Sequence, residues 1–117
     1  MNHEAYERYE RGLARALSAK DPVAALEELA RDEELPPELA QRVAAADPRG
    51  VRISALIVVR LRFERLLQGS RSVAEWFERD GRGFTEAFRS YHREVPSRAE
   101  SPREEARAFE AWRASRS

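Results

Sequence analysis

The chain has 117 residues, the size of one domain, and its 21 Lys+Arg balance 21 Asp+Glu to a formal charge of zero. With no cysteine it has no disulfides, thiolate nucleophiles, zinc fingers or iron–sulfur ligation, which fits a reducing compartment. A neutral chain is a poor footing for nonspecific DNA binding, and no apolar run approaches the roughly 20 residues that span a bilayer. The polar start Met1-Asn2-His3-Glu4 is unlike a secretory signal, so the expectation is a soluble, cytoplasmic protein.

Apolar residues recur at helical spacing almost throughout, and no stretch alternates with period two, so the expected fold is all-α. Tyr6, Tyr9, Leu13 and Leu17 form one stripe of a first helix from about Asn2 to Ala19. Asp21-Pro22 reads as an N-cap followed by a first-turn proline, opening a short helix that buries Val23, Leu26 and Leu29. Acidic residues Asp32 to Glu34 and Pro36-Pro37 break it, and a third helix from Pro37 to Ala46 offers Leu39 and Val43. Asp47-Pro48 opens the most apolar segment, with Val51, Ile53, Leu56, Ile57, Val58, Val59, Leu61, Phe63, Leu66 and Leu67 around its circumference. A helix apolar all round (about 48–68) predicts a central position walled by the others, with Gly69 as a left-handed stop.

Ser72-Val73-Ala74-Glu75 is a capping-box pattern ahead of Val73, Trp76 and Phe77, and Asp80-Gly81-Arg82-Gly83 reads as a turn. Phe84, Phe88 and Tyr91 stand at i, i+4 and i+7, an aromatic stripe ended by Val95-Pro96. Ser101-Pro102-Arg103-Glu104 launches a last helix burying Ala106, Phe109 and Trp112, with Ala114–Ser117 expected to fray. The sum is a compact single-domain bundle of six or seven helices over residues 1–117.

Chemistry is sparse. The two histidines are His3, at the terminus, and His92, beside Tyr91 and Arg93, which reads as exposed or capping and is the one ionisable group that could form a polar spot on an apolar seam. Glu27-Glu28 and Asp32-Glu33-Glu34 diverge by about 100° per residue on a helix, so they do not converge on one metal or substrate atom. No metal site and no catalytic group are expected. Residues 1–50 hold seven basic and eleven acidic side chains, and residues 51–117 hold fourteen and ten. Arg52, Arg60, Arg62 and Arg65 on the central helix must reach an edge by snorkelling, pair with the acidic first half, or receive the carboxylates of an acidic peptide. The aromatic set from Trp76 to Trp112 reads as core, and any ring left exposed beside an arginine would be a binding anchor.

A longer pattern runs through the second half. Val51-Arg52 leads to Phe63, Leu66-Leu67 and Gly69; Phe84 precedes Tyr91 by seven and Tyr91 precedes Pro96 by five; Ser101-Pro102 leads to Phe109 and Trp112. Over about residues 51–112 this resembles the helical domain, labelled DNA-binding, that forms the amino-terminal part of the small partner proteins of multinuclear non-haem iron oxidases. Those partners serve in maturing ribosomally made peptide natural products, including bufferin-like and methanobactin-like systems. The resemblance implies a noncatalytic accessory protein that joins a TIM-barrel iron oxidase in a hetero-oligomer and binds the precursor peptide, the iron belonging to the oxidase and no cofactor to this chain. The chain departs from the family in having Asp47-Pro48-Arg49-Gly50 where a Tyr-Arg-Asn-like stretch is usual, and the second domain that the family often carries is not expected here. Arg60, Arg62, Tyr91, His92 and Arg93 are the expected contacts to the oxidase or peptide. The alternatives are a DNA-binding or regulatory protein-interaction domain and, more distantly, a small enzyme built on His92.

Overall fold

A computed structural model describes residues 3–97 and 101–116. The expected start of the first helix at Asn2, and Ser117 of the tail, lie outside these residues. The fold is all-α: α1 (His3–Ser18), α2 (Pro22–Ala30), α3 (Pro37–Ala44), α4 (Pro48–Gly69), α5 (Arg71–Arg79), α6 (Gly81–Glu94) and α7 (Pro102–Ser115), with no strand among the described residues. The chain divides into two compact units, residues 1–58 and 59–117, and α4 contributes its first half to one and its second half to the other.

The first unit packs α1, α2, α3 and the start of α4. Its buried hydrophobic residues are Ala16, Leu26, Leu35, Leu39, Val43 and Val51, with Tyr9, Leu13, Leu17 and Leu29 packed against them. Asp21 caps α2 as expected, accepting the Ala24 N–H, and the Asp47 carboxylate accepts from Gly50 at the start of α4. Gly12 lets α1 and α2 approach closely, since a Cβ there would meet the Leu29 side chain at 2.5 Å. Arg8 on α1 also bridges to Asp32 at 2.8 Å and to Glu34 at 3.1 Å, both in the segment between α2 and α3.

The second unit buries Leu66, Val73, Phe84, Phe88, Tyr91, Ala106 and Phe109. Phe63 stands edge-on to Phe77, Phe84 and Phe88, with centroids 5.1 to 5.4 Å apart, the arrangement ring quadrupoles favour. The aromatic stripe of α6 ends where expected: Val95, restricted by Pro96, is extended. Ser101 caps α7, accepting the Glu104 N–H while its hydroxyl donates to the Glu104 carboxylate.

Six local expectations are corrected. The third helix stops at Ala44, and α7 continues through Ala114 and Ser115, which were expected to fray. Ser70, two residues before the expected box, caps α5 by accepting the Val73 N–H. Asp80 alone separates α5 from α6: it ends one helix and caps the next through Gly83 N–H, so Gly81 and Gly83 are helical. Gly69 is the last residue of α4 and has no left-handed φ; it is small because a Cβ would drive into the Pro102 carbonyl at the start of α7. Finally, α4 feeds both cores but is not walled all round, since Ile53, Leu56, Ile57 and Leu61 are 49–67% exposed.

Candidate functional site

The chemistry of the second unit gathers around Arg62. Val59, Arg62, Phe63 and Leu66 share one face of α4 by their spacing of three and four, so helix geometry forces this arginine into the core with its apolar neighbours. It is 1% exposed. A guanidinium so placed needs a partner, and α7 supplies Glu105, itself fully buried and on the same stripe as Phe109 and Trp112. Arg62 Nε donates to Glu105 Oε1 at 2.9 Å and Nη2 donates to Oε2 at 3.2 Å, the two-point fork that guanidinium and carboxylate planes favour. Arg65 Nη2 adds a third hydrogen bond to Glu105 at 3.2 Å, and the Tyr91 hydroxyl donates a fourth at 2.5 Å. The remaining Arg62 nitrogen, Nη1, donates to the Val95 carbonyl and to His92 Nδ1 at 3.3 Å.

These contacts set the protonation states. Arginine has no acceptor, so His92 Nδ1 must be unprotonated and its proton sits on Nε2. Burial and the Arg62 charge both push the His92 pKa down, to about 4, so the ring is neutral at physiological pH. Burial alone would raise the Glu105 carboxyl, but hydrogen bonds from Arg62, Tyr91 and Arg65 outweigh it and hold the group ionised, below its ordinary value. Burial, then the bond to Glu105, raises the Tyr91 phenol, which stays protonated. The guanidinium also lies 4.3 Å from the Tyr91 ring centroid, and the His92 ring stacks on Phe88. The network therefore ties α4, α6 and α7 together with its hydrogen-bonding capacity turned inward.

Of the five expected contact residues, the structure brings Arg62, Tyr91 and His92 together inside the unit and leaves Arg60 and Arg93 exposed. His92 is 7% exposed rather than on the surface. Arg62 and Arg65 pair with Glu105 and not with the acidic first half, because α7 is the element packed beside them. Glu105 was missed. Its signal was available, since i, i+4 and i+7 from Glu105 give Phe109 and Trp112, which puts it on the apolar stripe of α7.

Exposed chemistry lies on α6 and α7. An open groove of about 830 Å³ is lined by Glu86 and Ser90 on one side and Trp112, Arg113 and Arg116 on the other. Arg113 lies over the Trp76 ring at 3.9 Å and Arg116 over Trp112 at 4.9 Å, while Arg116 also pairs with Glu94. Trp112 Nε1 is buried without a hydrogen-bond partner. No group of three or more metal-ligating side chains occurs among the described residues, and no helix among them is long and apolar enough to cross a membrane. No family model matches the chain, and no curated protein or solved structure matches it either.

Proposed function

We propose that this chain is a noncatalytic accessory protein that binds an iron-dependent, TIM-barrel peptide-modifying oxidase in the cytoplasm and helps present the precursor peptide, with the α6–α7 surface of the second unit as the contact. The observation that carries the proposal is the groove rimmed by Trp112, Arg113 and Arg116, with the Arg113 guanidinium over the Trp76 ring. Tryptophan and arginine dominate the energetics of protein interfaces, and an arginine already stacked on a ring has less rotamer freedom to lose on binding. Glu86, Ser90 and Trp112 of the groove lie within the region that resembles the oxidase partners, where the matched residues Tyr91 and Phe109 are core, and Arg113 and Arg116 follow directly after it. Arg62, Tyr91 and His92 then act as positioning residues, holding α6 and α7 in register, while Arg60 and Arg93 remain available to an acidic surface.

The test is reconstitution of the oxidase and its peptide with and without this chain. The proposal expects a stable complex by size-exclusion chromatography, peptide modification that depends on the chain, and an affinity loss of at least about tenfold in Arg113→Glu. An oxidase that modifies its peptide at full rate alone, or a chain that turns over a substrate by itself, overturns it.

A further inference from the structure

We propose that the α6–α7 groove binds a peptide segment through one carboxylate, an aspartate or glutamate side chain that the Arg113 guanidinium receives. This inference rests on the reading of the groove as a contact surface and names the chemistry of what docks there. The end of α7 builds the same device twice. Arg113 and Arg116 each place a guanidinium over an indole ring, 3.9 Å from the Trp76 centroid and 4.9 Å from that of Trp112. Arg116 also takes a carboxylate, that of Glu94 at the end of α6. Arg113 has the ring without the carboxylate: among the described residues its guanidinium makes no hydrogen bond and no ion pair.

Nearby acids of the chain do not fill the place. Glu110, one turn before Arg113, accepts hydrogen bonds from the Ser70 and Ser72 hydroxyls at 3.2 and 3.3 Å. Glu86, on the α6 side of the groove, forms no ion pair among the described residues. A guanidinium seated on an indole keeps its N–H groups for hydrogen bonds in its own plane, where they match the two oxygens of a carboxylate. The ring also limits the side chain's freedom before anything binds, which lowers the ordering cost of capture. Because Glu86 and Glu110 line the same groove, a second negative charge on the ligand is repelled. The site therefore favours an isolated aspartate or glutamate over a polyacidic segment or a phosphate group.

The experiment uses the whole chain and four probes: a short blocked peptide of alanine and serine with one central glutamate, the same peptide with glutamine, a polyglutamate peptide and inorganic phosphate. Binding is read from the fluorescence of Trp76 and Trp112, the only two tryptophans, and from the Arg113 Nε–H resonance. The single-glutamate peptide is expected to move that resonance and to bind at least about tenfold more tightly than its glutamine counterpart. Arg113→Gln is expected to abolish the preference with unchanged helical circular dichroism, and Arg113→Lys, which keeps the charge but not the fork, to lose most of it. A wild-type chain that shows no preference for glutamate up to about 20 mM peptide overturns the proposal. So does an Arg113→Lys protein that binds as wild type, or tighter binding of polyglutamate or phosphate. A chain that takes the glutamate peptide at Arg113 but joins no oxidase upholds this inference and fails the accessory-protein reading. A chain that joins its oxidase and takes both blocked peptides equally fails this inference alone.

Discussion

Replacing Glu105 by Gln keeps the side-chain shape and removes the charge, and so asks what holds the second unit together. The carboxylate accepts four hydrogen bonds, two from Arg62, one from Arg65 and one from Tyr91. An amide has one acceptor oxygen, and its NH2 group must face a donor. The Arg62 charge, 1% exposed, is left uncompensated. Removing one member of a buried ion pair costs about 3–5 kcal/mol, a large part of the roughly 5–15 kcal/mol that holds a domain of this size folded. The expected fall in melting temperature is on the order of 10–20 °C. Both tryptophans, Trp76 and Trp112, belong to the second unit, so urea unfolding followed by their fluorescence reports the part that carries the network. Replacing both partners, Arg62→Met with Glu105→Leu, should recover most of the loss, because no charge is then left buried alone. A Glu105→Gln protein within about 1 kcal/mol of wild type would refute the reasoning, since it would mean the guanidinium finds water or another acceptor.

Stability should fall as pH drops from about 6.5 towards 4. In that window the unfolded His92 takes up a proton that the folded ring, with its pKa near 4, does not, so the unfolded state gains; the slope approaches about 1.4 kcal/mol per pH unit. Glu105 acts in the same direction further down: its depressed pKa contributes stability above the ordinary carboxyl range that is lost as pH falls through the folded value. Urea midpoints against pH check both, and His92→Gln should flatten the upper window alone. Gly69→Ala should destabilise by about 1–3 kcal/mol despite alanine's better helix propensity, because the new methyl meets the Pro102 carbonyl; a stabilised variant in the same assay would refute the close approach.

Helix number, all-α class and most boundaries could be read from the amino-acid order, because they rest on local chemistry. Asp21 with Pro22, Val95 with Pro96 and Ser101 with Glu104 act on backbone groups within a few residues, and the stripe of Phe84, Phe88 and Tyr91 needs only the helical period. Asp80 and Ser70 show the limit of that reading, since several polar residues near a helix start compete for one cap and the backbone chooses among them. What only the tertiary structure decided are the pairings distant in sequence. Arg62 meets Glu105 across 43 residues, and Gly69 meets Pro102 where α7 begins. Periodicity names the face a side chain occupies but not the element opposite it, so a buried arginine and an ionised, buried glutamate each read as surface residues until packing brings them together.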